Sequence, residues 1–194
     1  GIKYPIADFE ITPDVAIVDP DLVAGLPPKQ VAYTGMDALT HAVEAYIGRS
    51  TTRETRRLAL QAVRLVFENI EAACQNGADL EARRNMLQAA HIAGIAFSKS
   101  YVGYVHGVAH SLGGQYNIPH GLANAVLLPV VLEAYGPCVH RKLWELSQSA
   151  GVSVETASEE AGDAAFISAI RRLNRHLGIP ERLPGIRLED IPGS

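Results

Sequence analysis

The strongest constraint on this chain is a repeat distance. Between Thr51 and Asn76 the apolar side chains Leu58, Ala62, Leu65, Val66, Ile70 and Ala73 recur every three or four residues, with charged and polar residues between them. That spacing is one face of an α-helix, and it repeats along most of the sequence. Thr34 is placed to cap a helix running to about Ile47, with Gly48 as its stop. Thr51 and Glu54 read as a capping box ahead of the second helix, and Asn76-Gly77 ends it. Asp79 caps a third through Met86, Leu87, Ala90, Ile92 and Phe97; its alanine content predicts a central position. Val105 to Leu112 reads as a short helix stopped by Gly113-Gly114, and Asn117-Ile118-Pro119 as a turn. Gly121 to Tyr135 is an apolar helix kinked by Pro129, followed by helices over Val139 to Ala150 and Thr156 to Leu177. Gly178-Ile179-Pro180 ends the last, and Glu181 to Ser194 reads as loop.

Only the entrance is extended. Val15-Ala16-Ile17-Val18, between Pro13-Asp14 and Asp19-Pro20, predicts one short buried strand. Leu26-Pro27-Pro28-Lys29 is a loop or a helix start. The fold class is therefore all-α, a helical bundle with a short extended N-terminal segment. It has too few strands for a doubly wound sheet.

Composition narrows the function. At 194 residues and 47% hydrophobic, the chain can bury a full core as one domain, or one and a half. A net charge of -4 argues against binding nucleic acid through its phosphates. Asn124, Pro129 and Glu133 interrupt the longest apolar stretch, Ala123 to Ala134, so no membrane-spanning helix is expected, and no signal peptide is visible. Two cysteines, Cys74 and Cys138, are too few for a disulfide framework and point to a cytoplasmic setting. Gly1 in place of methionine suggests a chain processed or cut from something longer.

The chemistry lies in the histidines. Asp37 and His41 are four residues apart on a helix and project from one face, as do His106 and His110. His120 sits in Pro119-His120-Gly121 at a turn, and a break at Gly113-Gly114 would let it return towards His106. Singly, each feature is an ordinary hydrogen-bonded or core residue. Together, in neighbourhoods rich in Ala, Val and Leu, they need a common partner, because an unpaired buried imidazole or carboxylate costs a few kcal/mol. A divalent metal satisfies them at once, and an Asp/His donor set suits Zn(II) or Fe(II) better than Ca or Mg. Gly107 and Gly121 follow two of these histidines and either remove bulk near the ion or serve turn chemistry. His91 reads as a satisfied core histidine, and His140 and His176 as structural. Phe97 and Tyr116 are pocket or core aromatics.

At these residues the chain resembles the iron-containing (group III) alcohol dehydrogenases. The matching stretches are Ile17-Val18-Asp19-Pro20, the run from Gly35 to Tyr46 (GMDALTHAVEAY), and the segment from His106 to Pro129 (HGVAHSLGGQYNIPHGLANAVLLP). The resemblance implies the C-terminal domain of a dehydroquinate synthase-like fold. Residues 1–194 would form the helical metal-binding domain, with 1–30 as extended linker and short strand. The family's N-terminal nucleotide-binding domain would be absent from the chain, which would also stop before the family's last helices. Carried over by motif, the metal ligands fall on Asp37, His41, His106 and His120. His110 matches a further histidine near nicotinamide and substrate that is not a ligand.

The implied cofactors are Fe(II), with Zn(II) as an alternative, and NAD or NADP held mainly by the absent domain. The implied reaction is hydride exchange between a small alcohol or aldehyde and nicotinamide, with His110 passing the proton. The glycine-rich pyrophosphate loop has no counterpart here, so the chain alone is expected to be inactive. A homodimer is compatible with this much apolar surface. Two other readings stay open: a metal-assisted hydrolase or lyase, against which no glutamate stands at an obvious general-base spacing (Glu44 shares the face of His41 but reads as easily as a solvated helix residue), and a helical domain whose histidines are structural.

Overall fold

Proline and side-chain caps set most of the helix starts. The computed structural model describes residue 6 and residues 8–153 and 157–186. Among them lie seven α-helices and no strand: α1 (Pro28–Ile47), α2 (Arg53–Gln75), α3 (Leu80–Ser100), α4 (Tyr104–Tyr116), α5 (His120–Tyr135), α6 (His140–Ser149) and α7 (Glu159–His176). α1 begins at Pro28, six residues before Thr34, because proline at the first helical position loses no hydrogen bond. The Thr34 hydroxyl instead donates back to the Gln30 carbonyl inside the helix (2.9 Å). Thr52, not Thr51, caps α2. Its hydroxyl accepts from the Thr55 amide (3.1 Å) while the Thr55 hydroxyl accepts from the Thr52 amide (2.8 Å), so a threonine completes the box expected of Glu54. Asp79 caps α3 through the Ala82 amide (2.9 Å).

The glycine pair does not stop α4. The helix runs through Gly113-Gly114 to Tyr116, since each glycine costs only about 1 kcal/mol in a helix interior. Asn117, at φ +54°, ends it in the left-handed conformation that asparagine tolerates, and the chain reverses through Pro119 into α5. The last helix starts at Glu159 behind a Ser158 cap. Thr156 lies outside the described residues, as does the tail beyond Ile186.

The expected strand at Val15 to Val18 is not formed. Val15 and Ile17 are 76% and 88% exposed, and the entrance carries short 3-10 turns at Phe9–Ile11 and Pro20–Val23 instead. A β-branched run becomes a strand only when another strand takes its hydrogen bonds, and the described residues offer none. Buried Arg83 on α3 fixes the end of this entrance, donating to the carbonyls of Val23 (2.9 Å) and Leu26 (3.2 Å).

The central helix is α1, not α3. α1 packs on α2, α3, α5 and α6, and Met36, Leu39, Ala42 and Val43 lose all solvent contact. α3 packs on α1 and α2 through Ala89, Ala93 and Ala96 and leaves its other face in solvent, His91 included. Its alanines allow close approach to two neighbours without burying the helix all round. Lys142 of α6 donates to the Ile47 carbonyl (2.7 Å), setting a cation at the C-terminal end of α1.

The stretch His120–Cys138 is long and apolar enough to cross a bilayer, by length and composition alone. Here it is a core helix: Leu122, Ala123, Ala125, Leu128 and Leu132 are buried, and α5 packs on α1, α4 and α7. Pro129 interrupts it without leaving a broken bond. Proline has no N–H for the carbonyl four residues back, that of Ala125. The Asn174 side chain of α7 donates to that carbonyl (2.7 Å). Asn174→Ala should therefore cost about 1–3 kcal/mol in urea unfolding, the penalty of an unsatisfied buried acceptor. In a Pro129→Ala background, where residue 129 supplies the amide, the same substitution should cost less. Equal costs in both backgrounds would show that the two residues are not coupled.

Candidate metal centre

Three helices bring four side chains to one point. α1 contributes Asp37 and His41, one turn apart; α4 contributes His106 from its first turn and α5 contributes His120 from its first residue. One ligand atom from each lies within 4.8 Å of the others. Asp37 Oδ1 is 3.5 Å from His106 Nε2 and 3.5 Å from His120 Nε2. The His41 ring stacks on His106 (centroids 4.4 Å) and, on another side, on Phe97 (4.3 Å). His110 stands beside the group with its ring 5.1 Å from His120 and 5.9 Å from His106, outside the four-donor cluster.

The contact between α1 and α5 depends on a glycine. A Cβ at Gly121 would stand 2.2 Å from the Tyr33 carbonyl oxygen, so α5 reaches Asp37 only because residue 121 has no side chain. Gly107 faces open space, and its effect on the site is nil in these terms.

The electrostatics favour a cation. Burial acts to raise the Asp37 carboxyl, but the adjacent His106 ring, the charges of His41 and His120 and the hydrogen bond from Asn124 outweigh it and bring it down to about 2. Burial pushes the His41 imidazole down to about 4, leaving it neutral with a free lone pair at neutral pH. Burial also opposes charge on His106, yet the nearby Asp37 carboxylate and the Glu44 carboxylate bonded to Nδ1 hold it above the ordinary imidazole value. His106 Nε2 is buried without a hydrogen-bond partner among the described residues. Two donors bound at 2.0–2.2 Å to a tetrahedral ion lie about 3.4 Å apart, close to the two 3.5 Å separations at Asp37. The donor set and the orphaned nitrogen both fit a divalent ion.

A family model, "Fe-containing alcohol dehydrogenase family, C-terminal", matches residues 31–193. The chain belongs to that family. Alcohol dehydrogenase 4 of Saccharomyces cerevisiae is 42% identical over 98% of this chain and 49% of its own length. The 1,3-propanediol dehydrogenase of Klebsiella pneumoniae is 42% identical over 98% of the chain and 50% of its own. A crystal structure of sulfoacetaldehyde reductase from Bifidobacterium kashiwanohense in complex with NAD+ superposes with a TM-score of 0.86 at 30% identity, covering 98% of this chain and 49% of that one. The chain thus spans about half the length of these relatives. Its described residues have the helical fold of that family's C-terminal domain.

Two polar residues at this candidate centre carry more than the sequence suggested. Glu44 is not a solvated helix residue: it is 2% exposed and accepts from His106 Nδ1 (2.6 Å) and from the amides of Val105 (2.8 Å) and His106 (3.4 Å). Both oxygens are engaged, so it is not poised as a base for a hydrolytic water. Asn124, which read as an interruption in an apolar stretch, is wholly buried. Its Nδ2 donates to Asp37 Oδ1 (2.6 Å) and lies 3.1 Å from His120 Nε2. Helical spacing carries the signal for both: Asp37, His41 and Glu44 sit at i, i+4 and i+7, and His120 and Asn124 at i and i+4. His140 pairs with Asp163 (3.2 Å) and His176 with Glu71 (2.7 Å), away from the site.

Gly121→Ala should force α5 off α1, lower stability by about 1–3 kcal/mol and reduce bound zinc per chain. Gly107→Ala should do neither. Thermal denaturation and zinc stoichiometry of both variants read the difference, and equal behaviour would remove the close approach as the reason for glycine at 121.

Proposed function

We propose that this chain is the metal-holding half of an NAD(P)-dependent alcohol dehydrogenase, with Asp37, His41, His106 and His120 as ligands of Fe(II) or, alternatively, Zn(II). The observation that carries the reading is the gathering of one carboxylate and three imidazoles, from three helices, within 4.8 Å in a member of this family. A divalent ion held there would supply Lewis acidity towards the oxygen of a small alcohol or aldehyde. The chain's own residues prepare that position. Ionised Asp37 and neutral His41 offer lone pairs at neutral pH, and Phe97 covers one ring face of His41. Half-buried His110 is the catalytic residue of this reading. It lies beside the ligands without joining them, and it carries the hydroxyl proton between substrate and solvent.

Hydride exchange with NAD or NADP requires a nucleotide-binding domain, assigned here to a further N-terminal half. The linker of this reading ends at Pro27, where α1 takes over, not at residue 30, and the exposed β-branched run at Val15 to Val18 is suited to joining a sheet in that half. The NAD+ complex of a relative of similar fold supports the cofactor class. Two free cysteines agree with a cytoplasmic enzyme, and its apolar surface is compatible with a homodimer.

Metal analysis of the chain and its variants tests this reading. His106→Ala or His120→Ala should abolish stoichiometric iron or zinc, and full occupancy in either would remove that residue from the ligand set. His110→Ala should keep the metal. In an enzyme carrying both halves it should slow alcohol-dependent reduction of NAD(P) about 100-fold or more, and an unchanged rate would end its proton-transfer role.

A further inference from the structure

Glu44 occupies a position that neither helix capping nor a surface carboxylate explains alone. α4 begins at Tyr104 behind Gly103, an N-cap position with no side chain, and no cap hydrogen bond is made from it. The Glu44 carboxylate, reaching across from α1, accepts the amides of Val105 and His106, the second and third residues of α4. Those are the donors an N-cap side chain normally satisfies. The same carboxylate also takes His106 Nδ1 at 2.6 Å. A Cβ at Gly103 would lie 2.8 Å from Glu44 Oε1, so the glycine leaves room for a carboxylate in place of its own missing cap.

We propose that Glu44 is the positioning residue of the metal centre: it caps α4 in trans and fixes His106 with its proton on Nδ1 and its Nε2 lone pair turned towards Asp37, His41 and His120. The proposal rests on the metal-site reading above. Physically, a neutral imidazole has one donor and one acceptor nitrogen, and a carboxylate can only accept. Glu44 therefore dictates the tautomer, and the buried Nε2 is left as the acceptor. The two hydrogen bonds to α4 amides hold the ring's backbone at the same time, which ties the α1 ligands to the α4 ligand through one group. Outer partners of this kind typically carry 10- to 100-fold in metal affinity.

Glu44→Gln separates the two tasks. The amide oxygen can still accept from an α4 amide, while the NH2 group offered to His106 Nδ1 demands an acceptor there and drives the proton to Nε2. The full 194-residue chain, wild type and E44Q, is titrated with Zn(II) against a chromophoric chelator, with circular dichroism recording helicity. The side-chain tautomer of His106 is read by long-range 1H–15N NMR on metal-free protein at alkaline pH. Expected are an Nδ1–H tautomer in the wild type, an Nε2–H tautomer in E44Q, retained helicity, and zinc affinity weakened about 10- to 100-fold. Gly103→Ala, which displaces the carboxylate without removing it, should weaken zinc in the same direction and serves if E44Q does not fold. An Nε2–H tautomer in the wild-type chain, or wild-type zinc affinity in a folded E44Q or G103A, overturns the proposal. His106→Ala is the control for the underlying reading. Unchanged zinc binding there overturns the ligand assignment and this role with it, whereas zinc lost in His106→Ala but kept in E44Q overturns the role of Glu44 alone.

Discussion

Imidazoles and carboxylates inside an apolar helical bundle must each find a partner, and the interior of this chain is organised around that demand. His106 is 1% exposed and Glu44 2%, and Asn124 has no exposure at all. Glu44 takes one nitrogen of His106 and two α4 amides, and Asn124 takes Asp37. What these bonds leave over is one direction in which Asp37, His41, His106 and His120 all point. A buried atom such as His106 Nε2, with no hydrogen-bond partner among the described residues, costs up to several kcal/mol in a fold whose whole stability is about 5–15 kcal/mol. The proposed ion closes that account.

The packing serves the same convergence. α1 runs through the middle and carries Asp37, His41 and Glu44 along one stripe, while its other faces are held by the core. α5 presses onto it at Gly121, which sets His120 beside Asp37. Asn117 and Pro119 reverse the chain between α4 and α5 so that His106 and His120 meet. α7 supports α5 from behind, through the bond from Asn174 to the carbonyl that Pro129 leaves without a donor. Each of these devices is a local departure from ideal helix chemistry, and each lies one or two steps from a proposed ligand.

The helices were legible because their apolar period is strong, and the motif residues because their spacing and composition are specific. Asp79, Gly48 and Asn76 mark helix ends where the sequence places them. The misplacements share one cause: competition between neighbouring residues able to do the same job. Thr51 and Thr52 can both cap, a proline can start a helix ahead of a later threonine suited to the same task, and glycines can be tolerated where an asparagine three residues on does the stopping. The strand at Val15 to Val18 could not be decided locally, because pairing depends on a partner elsewhere. Glu44 and Asn124 were hidden for a different reason. A polar residue on an amphipathic helix reads as solvent-facing until the neighbouring helix that covers it is known.

A single cation bounded by four named side chains is the centre of the proposed site. Anomalous diffraction from crystals of the chain loaded with Fe(II) or Zn(II), collected on either side of the metal's absorption edge, tests this most directly. The predicted map has one strong peak per chain at about 2.0–2.2 Å from a carboxylate oxygen of Asp37 and a ring nitrogen each of His41, His106 and His120. A peak held by any other set of side chains, with those four still gathered, would contradict it.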